Sequence, residues 1–243
     1  MLVLAFDTSG AVMTLALVEV DHNGHRNLVD RCGDGKTGHS ALLAPMVAEV
    51  LNETGVAAGD LELIACGRGP GSFTGLRTGL ALAKGLAMGI GRPVVGLGSL
   101  TILAAASGPL ETTFIAPVID ARHREVFTAL YRFELGRLEP VQLTEILVIE
   151  PGKVMGVLSS LVPLQAKVIL TGPGTNLLPE PVFPFEFGGE SAPSAEILAI
   201  LAVQRLADGQ LSPSPASPLY GRSPDIFKTW TPPVRLVAGT TDA

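Results

Sequence analysis

Positive charge is scarce in this sequence. The 17 Lys and Arg residues are outnumbered by 23 Asp and Glu, no basic block occurs, and the formal net charge is −6 at pH 7. Broad electrostatic binding of nucleic acid by this chain alone is therefore disfavoured, although a partner could supply the positive surface. Cysteine is scarce as well, because only Cys32 and Cys66 occur, without a CxxC pair. Two isolated thiols are typical of a reducing cytoplasm, and we expect both to be structural.

Signals for export or membrane insertion are also lacking. The N-terminus, MLVLAFDTSG, has no basic segment and soon reaches Asp7, so it predicts a strand and not a signal peptide. The longest uncharged run, residues 93–110, is interrupted by three glycines and a proline, which argues against a membrane span. Only 16% of the residues are charged and 47% are hydrophobic, so we expect an ordered cytoplasmic protein with a sizeable core.

The same pattern opens two parts of the chain. Residues 2–20 read as an apolar strand, a polar turn around Asp7 and a second apolar strand. Residues 114–134 repeat this order, and Asp120 falls at the place equivalent to Asp7. Because 243 residues are enough for two lobes, we predict an α/β protein with weakly duplicated lobes.

Composition places the boundaries of these parts. The predicted N-terminal lobe covers residues 1–106, and the predicted C-terminal lobe covers residues 107–211 and ends in an amphipathic helix capped by Ser194. Residues 212–243 form a proline-rich tail, which we expect to be extended or partly disordered. A stretch around Tyr220 could dock on the body.

Two helices are predicted in the N-terminal lobe, over residues 39–54 and 73–90. Apolar residues recur along one face of the first helix. In the second, Gly75, Gly79, Ala83 and Ala87 share one face, and a neighbouring face carries Ala81, Gly85 and Gly89. A helical glycine costs roughly 0.5–1 kcal/mol relative to alanine, so close backbone approach should offset it. The approaching group could be the lobe's own sheet, a partner helix, or both.

The segment GRGPGSFTGLRTG, residues 67–79, has the glycine density of a phosphate-binding loop. It lacks the Lys-Ser/Thr of a Walker loop, and Ser72 stands where a dinucleotide loop needs its third glycine. Anion binding at the helix N-terminus remains open. No HExxH or GxSxG pattern occurs, and His22 and His25 flank a turn signal, so we expect no metal, no cofactor and no catalytic group.

Three segments together resemble the TsaB (YeaZ) family: LAFDTSG at residues 4–10, GRGPGSFTGLRTGLALAKGLA at 67–87 and IDARHREVF at 119–127. The match weakens after about residue 135, and the tail carries Tyr-Gly-Arg at 220–222 where family members commonly carry Tyr-Leu-Arg. The resemblance implies the two-lobed fold of actin, sugar kinases and Hsp-type ATPases.

The resemblance also implies a function and partners. TsaB proteins act in bacterial biosynthesis of threonylcarbamoyladenosine, the modified base beside the anticodon of some tRNAs. The implied role is a non-catalytic partner that activates the paralogue TsaD, with the ATPase TsaE completing the machinery and tRNA reached only through the complex. The implied surface, shared with a homodimer, is formed by helices 39–54 and 73–90. Its candidate contact residues are His39, Leu43, Met46, Val47, Val50, Arg68, Phe73, Leu76, Arg77, Gly79, Leu80 and Ala83.

A second group of residues resembles the nucleotide site of the ATPases that share this fold. We interpret it as vestigial, and its members are Asp7, Thr8, Ser9, Asp120, Gly172 and Gly174. The alternative hypothesis is an ATPase or kinase that uses Asp7 and Asp120. Proteolysis ranks below both, because no nucleophile–base pair is recognisable in the sequence.

Overall fold

The computed structural model describes residues 1–22, 24–33, 38–108, 113–189, 192–209 and 217–219. They form two compact units, the first made of Met1–Ile102 with Ala192–Leu219 and the second of Leu103–Ser191. The predicted docking of Tyr220 lies outside these residues and stays a prediction. No helix within the described residues is long and apolar enough to cross a membrane.

The first unit is built on a five-stranded sheet. Its strands are β1 (Leu2–Asp7), β2 (Thr14–Asp21), β3 (Gly24–Cys32), β4 (Leu63–Gly67) and β5 (Val94–Leu97). They lie in the order β3-β2-β1-β4-β5, with β1, β4 and β5 parallel and the β1–β2 and β2–β3 pairs antiparallel. The central strands β1 and β4 are almost wholly apolar because both of their faces are covered.

The α-helices of the described residues are α1 (His39–Thr54), α2 (Phe73–Ile90), α3 (Ser99–Ala106), α4 (Val154–Ser159) and α5 (Ala195–Ala207). The predicted bounds 39–54 and 73–90 are confirmed. Helix α1 ends at Gly55, which adopts a left-handed conformation (φ 69°), as a glycine C-cap does. The Ser72 hydroxyl caps α2 by accepting a hydrogen bond from the Gly75 amide. Helices α1 and α2 pack against each other, and α2 also packs on β4.

The second unit repeats the sheet of the first. Its strands are β6 (Phe114–Arg122), β7 (Glu125–Thr128), β8 (Tyr131–Arg132), β9 (Val141–Gln142), β10 (Leu147–Ile149), β11 (Val168–Thr171) and β12 (Phe185–Phe187). The main order β10-β7-β6-β11-β12 matches β3-β2-β1-β4-β5 strand for strand, including which neighbours are parallel. This confirms the predicted α/β fold of the actin-like ATPases, with two weakly duplicated halves.

The structure differs from the sequence expectations in two places. Helix α5 packs on β1 and β2 and belongs to the first unit, whereas the sequence boundaries grouped it with the C-terminal lobe. Strand β3 was not predicted, because its edge position leaves most of its side chains exposed and therefore polar.

Candidate functional site

Three parallel strands of the first unit end at one edge of the sheet, at Asp7, Gly67 and Leu97. In open α/β sheets this carboxyl edge is where ligands bind. Residues 8–9 follow β1, and the glycine-rich segment 67–72 connects β4 to α2. The sequence-predicted Asp7, Thr8 and Ser9 therefore lie beside the motif that resembled a phosphate loop.

The carboxylate of Asp7 is used by the protein itself. Its Oδ1 accepts hydrogen bonds from the Ser9 amide (2.7 Å) and the Ser9 hydroxyl (2.6 Å). Its Oδ2 accepts one from the Ser99 hydroxyl at 2.7 Å, across 92 positions of sequence. Asp7 is only 1% exposed. A buried carboxylate that accepts hydrogen bonds on both oxygens is held in place by the protein. We therefore assign Asp7 a structural role.

The glycines of the motif let the backbone approach Asp7, Thr8 and Ser9. A Cβ on Gly67 would overlap the Asp7 carboxylate. Likewise, a Cβ on Gly71 would overlap the Ser9 carbonyl, and one on Gly79 would overlap the Thr8 hydroxyl. The predicted close approach at Gly79 is therefore to the unit's own turn.

Hydrogen bonds also join the glycine-rich motif to residues 8–9. The Thr8 hydroxyl donates to the Gly75 carbonyl at 2.8 Å, and the Ser72 amide donates to the Ser9 carbonyl at 2.7 Å. A phosphate in a P-loop is held by free backbone N–H groups. Here the Ser72 and Gly75 amides have acceptors within the protein.

Arg68, one of the two arginines of the motif and a candidate partner contact, instead contacts the C-terminal segment of the first unit. Its Nε donates to the Ser217 carbonyl at 2.8 Å, and its own carbonyl accepts from the Leu219 amide at 2.7 Å. Burial lowers the pKa of the Arg68 guanidinium, with Arg205 adding to the shift and Cys66 opposing it. These contacts assign Arg68 a structural role within the unit.

The thiol of Cys66 is a packing group. It is fully buried in β4, and burial, aided by the negative charge of Asp7, raises its pKa to about 12. A thiol with so high a pKa stays protonated and unreactive at neutral pH. Cys32 lies exposed on β3, and partial burial together with Asp30 raises its pKa as well. Neither thiol has the lowered pKa of a nucleophile.

The candidate partner residues divide into buried and exposed groups. Those in the core of the first unit are Leu43, Val47, Val50, Leu76, Gly79, Leu80 and Ala83. These residues are covered by the rest of the unit and are not available at its surface, which corrects the prediction for them. Met46 is half-buried, whereas Phe73 (51% exposed) and Arg77 lie at the surface. The side chain of His39 lies outside the described part of the structure.

The opposite face of the two helices is exposed and consists largely of small residues. On α2 it carries the predicted stripe of Ala81, Gly85 and Gly89, and a Cβ on either glycine would meet nothing within 4 Å. Met88 stands in the same face and is 85% exposed. On the neighbouring α1, the exposed residues include Ala41, Ala44, Pro45 and Ala48. We call this surface the α1–α2 face.

At the start of α2, Arg77 and Phe73 form an exposed pair. The guanidinium carbon lies 3.9 Å from the ring centroid, a cation–π contact. Arg and aromatic residues are enriched at protein interfaces, so the pair adds a candidate anchor to the α1–α2 face. Sequence periodicity indicated the small stripe on α2 but not this stacking.

The candidate residues of the second unit do not form a phosphate cradle by themselves. Asp120 accepts from the Arg122 amide at 2.7 Å and pairs with the Arg122 guanidinium at 3.5 Å. Gly172 and Gly174 pack against β6, where a Cβ on Gly172 would lie 2.7 Å from the Val118 carbonyl. The Gly174 amide donates to that same carbonyl at 2.9 Å. Both glycines therefore serve packing within the unit.

No group of three or more His, Cys, Asp or Glu that could hold a metal lies within the described ranges. His25 instead pairs with Glu196 at 3.1 Å and so joins β3 to α5.

The chain is similar to proteins whose names refer to threonylcarbamoyl modification of tRNA. The family model described as "TsaD: tRNA N6-adenosine threonylcarbamoyltransferase" matches residues 35–207. The protein named tRNA threonylcarbamoyladenosine biosynthesis protein TsaB in Escherichia coli is 30% identical over 235 residues, covering 94% of this chain and 97% of that protein. Its Bacillus subtilis namesake is 38% identical over 141 residues, and there the match spans only 58% of this chain and 59% of the relative.

Solved structures from Pseudomonas aeruginosa agree with these matches. A protein described as similar to peptidase YeaZ superposes with a TM-score of 0.73 at 32% identity, covering 91% of this chain and 99% of that one. The structure described as YeaZ superposes with a TM-score of 0.70 at 29% identity, with coverages of 90% and 99%. Together with the motif at residues 67–87, these matches show that the chain belongs to the TsaB (YeaZ) family.

Proposed function

We propose that this chain acts in tRNA threonylcarbamoyladenosine biosynthesis as a non-catalytic subunit. In this proposal it binds a TsaD homologue and activates it, and the ATPase TsaE completes the machinery. The modified residue is the adenosine next to the anticodon. The name of the Escherichia coli relative, which matches over 97% of its length, supports the process. The hydrogen-bonded Asp7 at the carboxyl edge of the sheet supports the absence of turnover.

The closed environment of Asp7 is the observation that carries the non-catalytic assignment. An ATPase or kinase would need that carboxylate free to place a metal ion or water beside the transferred phosphoryl group. In this chain both of its oxygens accept internal hydrogen bonds, and Gly67 leaves no gap beside it. Opening this site would break at least three hydrogen bonds in the core.

The α1–α2 face supports the partner assignment. Small residues on two adjacent helices let another pair of helices approach closely, and the exposed Met88 and Phe73 add apolar area at its edges. The family model of TsaD covers the stretch of this chain that holds both helices. A TsaD homologue would then present equivalent helices, giving a pseudo-two-fold interface like that of a homodimer.

The net charge of −6 is consistent with a subunit that contacts tRNA only within the complex. Nucleic-acid affinity depends mainly on Lys and Arg that neutralise phosphates, and this chain has a deficit of both. We therefore assign tRNA binding in the complex chiefly to the partners.

Reconstitution tests the proposal directly. TsaD and TsaE homologues, tRNA and threonylcarbamoyl adenylate are incubated with and without this chain, and modified nucleoside is quantified by mass spectrometry. We expect the chain to raise the yield, and to form no product when TsaD is omitted. An unchanged yield would refute the activating role. Calorimetry of the chain with Mg-ATP tests the alternative, since micromolar affinity that is lost in Asp7→Ala would favour an ATPase or kinase.

A further inference from the structure

The segment Ser217–Leu219 lies on the glycine-rich motif through specific contacts. The Leu219 amide donates to the Arg68 carbonyl, and the Arg68 side chain donates to the Ser217 carbonyl. The Arg68 amide also donates to the Leu97 carbonyl at 2.8 Å, which continues the β4–β5 pairing. The segment therefore attaches to the motif just beyond the end of β4.

Glycines in the motif provide the room for this attachment. Gly69 adopts φ +90°, and a Cβ there would lie 3.0 Å from the Leu219 carbonyl and 2.7 Å from Leu76 Cδ1. Gly98 lies beside the Leu219 side chain, since a Cβ on Gly98 would lie 3.6 Å from Leu219 Cδ1. A side chain at position 69 would thus push on both the segment and α2.

A chain of contacts connects this segment to the α1–α2 face. Leu219 meets Gly69, Gly69 meets Leu76 in the first turn of α2, and the adjoining positions carry the stacked Phe73 and Arg77. Leu76 is 1% exposed, so its position is fixed by packing, and a shift at Gly69 would be passed to the helix.

We infer that Ser217–Leu219 is a positioning segment: by holding Arg68 and Gly69 it sets the start of α2, and with it the Phe73–Arg77 pair, for docking of the partner. This inference rests on the proposed function, because it takes the α1–α2 face as the docking surface. The segment itself need not touch the partner. Partner affinity then depends on a residue near the C-terminus that lies almost 150 positions from α2 in sequence.

The test uses the full chain with Leu219→Pro, which removes the N–H that bonds Arg68. We expect association with the TsaD homologue, measured by calorimetry, to weaken by about 3- to 30-fold, the range of coupling through packed networks. Amide exchange should accelerate in residues 68–76 and stay unchanged in β1. Pro218→Ala is the matched control, because it keeps both hydrogen bonds and should bind as wild type.

Wild-type affinity in Leu219→Pro, despite faster exchange in residues 68–76, would overturn the inference. If that variant does not fold, Leu219→Ala, which keeps the amide, should still weaken association measurably, and wild-type affinity there would also overturn it. A third variant, Gly85→Arg, blocks the α1–α2 face directly. Normal binding by Gly85→Arg would refute the docking surface and the inference with it. If Gly85→Arg loses binding while Leu219→Pro binds normally, the docking surface stands and only the positioning role of Ser217–Leu219 is refuted.

Discussion

At the scale of single residues, the fold treats two carboxylates of the first unit in opposite ways. Asp7 is buried, and its carboxyl oxygens accept three hydrogen bonds from Ser9 and Ser99. Asp30 on β3 is partly desolvated and faces Glu196 of α5, so burial first and then that like charge raise its pKa, while Arg31 opposes the shift. Burial disfavours the charged form of a carboxylate, and hydrogen bonds donated to its oxygens oppose that effect.

Asp30 gives a pH-dependent prediction. Because its pKa is higher in the folded state than in the unfolded state, ionised Asp30 opposes folding at neutral pH. This cost vanishes as pH falls through the raised pKa toward and below the ordinary value of 3.8. Asp30→Asn should therefore raise the melting temperature at pH 7, and the gain over wild type should shrink as the pH is lowered through that window.

The melting temperatures of wild type and Asp30→Asn are measured by thermal unfolding from about pH 7 down to about pH 3.5. This range reaches the ordinary carboxylate pKa values. Glu145→Gln, which removes one negative charge from an exposed position of the second unit, is the control for net charge. An equal gain in both variants, or a gain in Asp30→Asn that does not change with pH, would contradict the prediction.

At the scale of elements, α2 carries two small-residue faces that serve different ends. The face containing Gly75, Gly79 and Ala83 is buried, and there Gly79 touches Thr8. The face containing Ala81, Gly85 and Gly89 is exposed. Sequence periodicity identified both faces, but it could not say which one meets the sheet, because the spacing of the small residues is the same.

The same glycine-to-alanine substitution at two sites of α2 distinguishes the buried face from the exposed face. Gly79→Ala would place its methyl group on the Thr8 hydroxyl and should lower the free energy of unfolding by about 1–3 kcal/mol, the cost of overpacking. Gly85→Ala points into open space and should raise it by about 0.5–1 kcal/mol through helix propensity. Urea unfolding at low protein concentration compares them within one helix. Equal effects of the two changes would contradict the assignment of the faces.

At the scale of the whole molecule, the sequence predicted the architecture better than the site. The repeated strand–Asp–strand pattern and the two capped helices carry strong local signals, so the fold and the bounds of α1 and α2 could be predicted. Short strands such as β8 and β12 have too few residues for a periodic signal. The bond between Asp7 and Ser99 could not be foreseen, because it joins positions 92 residues apart that meet only when β1 and β5 share a sheet.

The α1–α2 face also determines the expected assembly of the protein. We predict that the chain alone forms a homodimer through this face, and that Gly85→Arg shifts it to the monomer by weakening association by about 1–3 kcal/mol. Light scattering after size-exclusion chromatography, over a range of concentrations, measures the mass. Gly156→Arg is the matched control, because Gly156 is also an exposed helical glycine with open space around it, but in α4 of the second unit. A dimer that survives Gly85→Arg, or is lost equally in Gly156→Arg, would place the interface elsewhere. If the wild-type chain stays monomeric at every concentration, the homodimer prediction is wrong and the face is left as a binding surface for the TsaD homologue alone.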